Sequence, residues 1–172
     1  MIKLMPAYKV DKKPVDWSEK VYIQPKLDGV RCVITLDEKE NIRCFSRTGK
    51  EFHNLDHVKD SLKPWFEFND DVILDGELYN HDLRDDFEKI ISLVRKQKPT
   101  VQDIVEASQL NQYHIYDIAS MEYATYTDRN LFILAESCFK NKYCIQVTPT
   151  KLATDFDDAQ KYHEKNLKTG YE

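Results

Sequence analysis

The strongest constraint on the fold is a series of short segments rich in β-branched and aromatic residues, separated by polar turns. Asp28-Gly29 and Thr48-Gly49 are typical of tight turns, and residues 37–41 form a polar loop that joins two segments into a predicted hairpin. We therefore predict a β-rich, antiparallel first half. The predicted strands are 21–24, 31–36, 42–46, 72–78, 113–118 and 143–148.

Helical periodicity replaces strand alternation in the second half of the chain. Within residues 82–97, apolar side chains recur at the spacing of one helix face, and Pro99 ends the segment. Thr100 is the predicted N-cap of the next helix. Mixed strands and helices without strict βαβ alternation favour an α+β fold in which antiparallel β-sheets are flanked by helices. The predicted helices are 82–97, 102–110, 128–140 and 155–167.

A chain of 172 residues is long enough for one domain with its own core. No Pro-, Gly- or Ser-rich linker divides it, so we expect residues 1–172 to form a single domain. With 41% hydrophobic and 32% charged residues, the composition excludes disordered and fibrous classes. The sequence has neither a run of eighteen apolar residues nor an apolar leader, which predicts a cytoplasmic protein without a membrane partner.

Charge is distributed unevenly along the chain, although the net charge is only −5. Residues 1–50 carry a net charge of +4, and the remaining residues carry −9. The basic first third either faces a nucleotide or a nucleic acid or reflects ordinary fluctuation over a small count. The charge distribution alone does not decide between these interpretations.

The cysteines and histidines give no complete metal-binding pattern. Cys32, Cys44, Cys138 and Cys144 lack CxxC spacing, so we expect thiols in the core or in strands. Two histidines, at positions 53 and 57, have helical i, i+4 spacing, but neither an HExxH sequence nor a neighbouring cysteine completes a zinc site.

A lysine at a strand-to-turn junction is the first candidate for chemistry. The segment contains Gln24, Lys26, an Asp28-Gly29 turn and Arg31 at the start of the next strand. One interpretation is a hairpin with charged residues at its tip. The other is a phosphate site in which Lys26 is a nucleophile and Arg31 supplies a second cation for an anionic substrate.

Three further strand ends carry charged or aromatic residues. The sequence SRTGK at 46–50 places cations at a turn. The sequence DGEL at 75–78 places carboxylates in an otherwise apolar strand, where a charge is costly unless it meets a cation, a metal or a hydroxyl. The YD pair at 116–117 sets an aromatic residue beside an acid. Each segment alone is typical of a turn, a strand-edge charge or a buried tyrosine, but together they combine phosphate, metal and base-stacking chemistry.

In this order, the four segments resemble those of the covalent nucleotidyltransferases, specifically the adenylation domain of ATP-dependent DNA ligases of the small phage or viral type. The segment from Lys26 to Arg31 matches the KxDGxR nucleophile motif of that family, and the SRTG, DGEL and YD sequences are similar to its next three motifs. Gly170-Tyr171-Glu172 resembles the opening of a fifth, the EG motif. The resemblance covers almost the whole chain and implies the ATP-grasp-like adenylation fold.

The resemblance also implies a lysine–AMP intermediate. Lys26 would attack the α-phosphorus of ATP, and the AMP would then pass to the 5′-phosphate of a nick in duplex DNA during replication, repair or recombination. The implied cofactors are ATP and Mg²⁺. The implied nucleotide-binding residues are Gln24, Lys26, Arg31, Arg47, Glu77 and Tyr116, with Tyr116 stacking on adenine, and the implied metal ligands are Glu77 and Glu172.

The chain differs from the family in the region after the EG motif. Family members continue into a strand pair with two lysines and then into an OB-fold domain, so we expect a C-terminally incomplete adenylation domain without the OB-fold domain. The expected partners are nicked duplex DNA and a second polypeptide that supplies the missing part. Two alternatives stay open, namely a non-catalytic nucleotide-binding remnant and an RNA ligase or mRNA-capping relative.

Overall fold

The secondary structure is known for most of the chain, because a computed structural model describes Leu4, Lys9 and residues 11–121, 124–139 and 142–172. The strands are β1 (Val21–Ile23), β2 (Val30–Leu36), β3 (Ile42–Phe45), β4 (Leu74–Tyr79), β5 (Gln112–Ile118), β6 (Ile145–Val147) and β7 (Lys151–Ala153). The helices are α1 (Asp56–Phe66), α2 (Phe87–Val94), α3 (Val101–Leu110), α4 (Tyr126–Ala135) and α5 (Phe156–Lys168). The predicted α+β class with helix-flanked sheets is confirmed.

A five-stranded sheet of order β3-β2-β4-β5-β6 forms the centre of the larger of two compact units, Gly29–Val147. The β2–β3, β2–β4 and β4–β5 pairs are antiparallel as predicted, but β6 runs parallel to β5. The purely antiparallel sheet was therefore a wrong expectation at this edge. The chain passes through α4 between the two strands, and a helical crossover is the connection that parallel pairing requires.

Helices cover the apolar face of this sheet. Side chains that alternate along the strands are fully buried there, among them Ile34 on β2, Leu74 and Leu78 on β4, and Ile115 on β5. Helices α1, α2 and α4 pack against the strands, and α3 packs against α1 and α2. This face is filled by the core, and the polar side chains of Arg31 on β2, Glu77 on β4 and Tyr116 on β5 lie on the opposite face.

Local sequence signals account for most helix ends. Thr100 caps α3 as predicted, and it forms a capping box with Asp103. The predicted helix at 82–97 is shorter in the structure, because the side chain of Asp86 caps α2 and a 3₁₀ turn precedes it. The predicted helix at 128–140 ends as α4 at Ala135 and is followed by a 3₁₀ turn, and residue 140 lies outside the described residues.

Helix α1 was not predicted from the sequence. Its residue before the first turn, Leu55, offers no capping side chain, and Pro64 lies inside the helix. Both features obscure a regular apolar face, made by Val58, Leu62, Trp65 and Phe66, which packs into the core. Because α1 begins at Asp56, His53 precedes the helix and does not share a helix face with His57.

The smaller unit combines the described residues from Lys9 to Asp28 with Thr148–Glu172. Strand β1 pairs antiparallel with β7, whose three residues the sequence did not predict as a strand. In the part of the chain that the structure describes, β1 has no other partner strand, so the interpretation of Lys26 as the tip of a hairpin with β2 is wrong. Helix α5 follows β7, and Asp155 caps it.

None of the five helices in the described ranges combines the length and the apolar character that crossing a membrane requires. The expectation that residues 1–172 form a single, C-terminally incomplete adenylation domain stays a prediction.

Candidate active site

A row of polar side chains crosses the open face of the five-stranded sheet. The strand register pairs Arg31 of β2 with Glu77 of β4, and Glu77 with His114 of β5. The β4–β5 register shifts between Asp75 and Gly76, so alternation alone does not place Tyr116. The hydrogen bond from the Tyr116 hydroxyl to Asp75 shows that these two side chains lie on the same face. The sheet thus brings together Arg31, Glu77 and Tyr116, three of the predicted site residues.

Asp75 is the centre of this row. Its carboxylate accepts two hydrogen bonds from Arg31, from Nε at 3.0 Å and from Nη2 at 2.5 Å. The Tyr116 hydroxyl donates to the same carboxylate at 3.2 Å. With only 3% of its surface exposed, Asp75 meets both the cation and the hydroxyl that a buried carboxylate requires.

The electrostatic environment of this row fixes the protonation states of Arg31 and Tyr116. The hydrogen bond to Asp75 raises the pKa of Arg31, so the guanidinium stays charged. Burial, reinforced by the nearby Asp75 charge, raises the pKa of the Tyr116 hydroxyl. Tyr116 therefore stays protonated and remains a donor at neutral pH.

Gly29 allows β2 to approach β4 closely beside this row. A Cβ atom at position 29 would lie 2.4 Å from the carbonyl oxygen of Leu78 and 2.7 Å from Cγ of Glu77. No larger residue fits there without moving the strand or the Glu77 side chain. The glycine of the KxDGxR segment is therefore required by the closeness of the neighbouring strand. The tight turn predicted at Asp28-Gly29 is not formed, because the chain only bends at Gly29 before it enters β2.

His114 is held neutral at the end of the row. Burial, with a smaller effect from His81, lowers its pKa to about 4. Its Nε2 lies 3.1 Å from Oε1 of Gln112, and its ring packs edge-on against Tyr79. It adds no positive charge to the site near neutral pH.

Arg47 lies in the exposed turn that follows β3. The backbone N–H of Gly49 closes this turn by donating to the Ser46 carbonyl at 2.9 Å, and Gly49 has a φ of 81° that favours glycine. The turn predicted at Thr48-Gly49 is confirmed, and it presents Arg47 to solvent.

The smaller unit holds the predicted nucleophile. Lys26 forms an ion pair with Glu172, and 67% of the lysine side chain is exposed. The Glu172 backbone N–H also donates to the Lys26 carbonyl at 3.3 Å. On the same segment, Gln24 Nε2 donates to the Thr150 hydroxyl at 2.9 Å. This unit therefore brings together Lys26 and Glu172, which are far apart in sequence.

Asp75 was absent from the predicted site residues. The sequence signal was available, because an acid in a strand that is otherwise apolar needs a partner. The identity of the partners was not available, since Arg31 and Tyr116 lie on two different strands. The roles of all predicted site residues stay predictions.

Solved structures of DNA ligases have a similar fold. A structure from an analysis of Lig E DNA ligases matches with a TM-score of 0.68 at 16% identity, over 98% of this chain and 59% of that chain. The ATP-dependent DNA ligase of bacteriophage T7, in complex with ATP, matches with a TM-score of 0.58 at 18% identity, over 85% of this chain and 53% of that chain.

The sequence comparisons identify the family. The family model described as ATP dependent DNA ligase domain matches residues 7–172, so the chain belongs to this family, as its motifs predicted. A DNA ligase of African swine fever virus is 30% identical over 155 residues, which are 87% of this chain and 34% of that protein. The chain thus spans about a third of the length of this relative.

Proposed function

We propose that this chain is the adenylation domain of an ATP-dependent DNA ligase, which forms a lysine–AMP intermediate for sealing nicks in duplex DNA. The observation that carries the proposal is the position of Lys26. It occupies the nucleophile position of the KxDGxR segment in a chain of this family, and its amine is exposed and in contact with the carboxylate of Glu172.

The first step joins Lys26 to ATP. The unprotonated amine forms a bond to the α-phosphorus, while the bond from that phosphorus to the pyrophosphate oxygen breaks. The lysine must lose its proton, and the carboxylate of Glu172, which forms an ion pair with Nζ, is the proposed acceptor. The AMP then passes to the 5′-phosphate of a nick, and the 3′-hydroxyl displaces AMP to close the strand.

The polar row on the sheet binds the nucleoside. Tyr116 stacks on adenine, an interaction worth about 1–3 kcal/mol per base. Glu77 accepts hydrogen bonds from the ribose hydroxyls. Because Asp75 balances the charge of Arg31, Arg31 suits the neutral ribose, whereas Arg47 in its exposed turn suits a phosphate. Gln24 is proposed as a further nucleotide contact.

Magnesium is the metal that this reaction implies, and the donors available are carboxylates. Among the described residues, no group of three His, Cys, Asp or Glu side chains is arranged to hold an ion. Such a group is not needed for Mg²⁺, which proteins bind through one or two carboxylates together with substrate phosphates. Glu77 and Glu172 are the proposed ligands, and the bound ion would neutralise charge on the leaving pyrophosphate.

The proposed substrate is nicked duplex DNA, and further protein is needed to seal it. The match covers only 34% of the African swine fever virus relative, whose remaining length provides surface that 172 residues do not contain. The net charge of −5 opposes unaided binding to a polyanion. We therefore propose that a further segment or a second polypeptide supplies cations and grip on the duplex. The proposed location is the cytoplasm, in a host cell if the protein is viral.

Mass spectrometry of the intact chain after incubation with ATP and Mg²⁺ tests the proposal. We expect a mass increase of one AMP in the wild type and none in Lys26→Ala. Lys20→Ala removes another exposed lysine from the same region and should react like the wild type. The same incubation with GTP distinguishes a capping relative, because that class would gain GMP.

An adduct in Lys26→Ala would show that another residue is the nucleophile. A wild-type chain that binds ATP without any adduct would show a nucleotide-binding remnant.

A further inference from the structure

Three side chains of the larger unit form a closed triangle. Asp75 contacts both Arg31 and Tyr116, and the Arg31 guanidinium carbon lies 5.9 Å from the centre of the Tyr116 ring. Each group therefore contacts the other two. The three residues belong to adjacent strands β2, β4 and β5, so only sheet pairing brings them together.

The Asp75 carboxylate fixes the orientations of two side chains, the Arg31 guanidinium and the Tyr116 ring. One oxygen, Oδ1, accepts from both Arg31 Nε and the Tyr116 hydroxyl, while Oδ2 accepts from Arg31 Nη2. The two parallel bonds hold the guanidinium in the plane of the carboxylate. The bond from the hydroxyl fixes the far end of the Tyr116 ring.

We propose that Asp75 is a positioning residue that orients the Tyr116 ring for stacking on the base, with Arg31 as the second support. This role rests on the proposed function, in which Tyr116 receives adenine. A ring fixed before the ligand arrives avoids the entropic cost of ordering it on binding. Asp75 thus acts on base recognition through Tyr116, without contacting the nucleotide.

The contribution of the base is measured with two ligands that differ only in adenine. The ratio of the Kd for ribose 5′-triphosphate to the Kd for ATP reports how much the base adds to binding. We expect Asp75→Asn, which keeps the shape and removes the charge, to lower this ratio about fivefold to tenfold, within the range of coupling between contacting residues. In the Tyr116→Ala background, Asp75→Asn should change the ratio no further.

A matched control separates this role from general destabilisation. Asp103 is also a buried carboxylate bonded to a cation and a hydroxyl, Lys96 at 2.6 Å and Thr100 at 2.8 Å, but it lies on α3. Asp103→Asn should lower Tm and leave the ratio unchanged. A reduced ratio in Asp103→Asn equal to that in Asp75→Asn would overturn the positioning role.

A second measurement needs no ligand. In protein labelled with 3-fluorotyrosine, the resonance of Tyr116 is assigned by its loss in Tyr116→Phe. We expect Asp75→Asn to shift or broaden this resonance, and an unchanged resonance would overturn the role. A wild-type protein that binds no ATP would overturn the proposed function together with this inference. ATP binding with an unchanged ratio in Asp75→Asn would overturn this inference alone.

Discussion

Substitution of Gly29 by alanine should damage both stability and ATP binding, because the added methyl group meets the backbone of β4. The new Cβ would lie 2.4 Å from the Leu78 carbonyl oxygen and 3.2 Å from the Leu78 carbonyl carbon. These are backbone atoms, so no rotamer change relieves the contact. Restoring an ordinary separation requires β2 and β4 to move apart by roughly 1 Å at this point.

The size of both effects follows from this movement. Overpacking a filled site typically costs about 1–3 kcal/mol, and a cost of about 2 kcal/mol lowers Tm by roughly 4–8 °C in a chain of this size. The same methyl group would lie 2.7 Å from Cγ of Glu77 and would displace that side chain. Loss of one hydrogen bond from a charged group should raise the KM for ATP about tenfold or more.

The assay combines thermal unfolding, followed by circular dichroism, with the rate of Lys26 labelling over a range of ATP concentrations. Ile133→Val is the control, because it removes one buried methyl group from α4 at a cost of about 1 kcal/mol. It should lower Tm and leave the KM unchanged. Wild-type values of Tm and KM in Gly29→Ala would refute the argument from the close approach of the two strands.

Three other properties can be predicted. Folding lowers the pKa of His114 from 6.5 to about 4. As the pH falls, this histidine is therefore protonated at a higher pH in the unfolded state than in the folded state. Stability should fall by about 3 kcal/mol as the pH decreases from 7 to 4; an equally steep decrease of the urea midpoint in His114→Gln would contradict this assignment. The hydrogen bond from Lys96, with those from Thr100, lowers the pKa of Asp103 to about 2. Its stabilising effect should therefore be present above pH 4 and be lost as the pH falls towards 2, and Asp103→Asn should lack this part of the acid transition. Finally, the 172 residues alone should seal nicked duplex poorly in a gel assay, and turnover similar to that of a full-length relative would show that the additional length is dispensable.

The region of the predicted nucleophile could be identified from the sequence because its motif residues lie close together in the chain. Lys26, the Asp28-Gly29 pair and Arg31 lie within six consecutive residues, and the order of the following segments is typical of the family. The caps of α3 and α5 could also be predicted, since Thr100 and Asp155 bond to backbone N–H groups three residues away.

Pairing between distant segments could not be read in this way. The sequence placed β1 in a hairpin, whereas its partner is β7, about 130 residues later in the chain. The parallel position of β6 depends on the path of the chain through α4. Nothing local distinguishes these pairings, because a short strand carries the same alternation whichever neighbour it joins.

Sequence alone therefore determined the family and the types of most elements and predicted the nucleophile, all of which depend on residues near one another in the chain. The tertiary structure decided which charges meet. Asp75 stood in the sequence as an unexplained acid within a strand, and only the sheet gave it Arg31 and Tyr116 as partners. A buried carboxylate is stable only where distant groups converge on it, and convergence is a property of the folded chain.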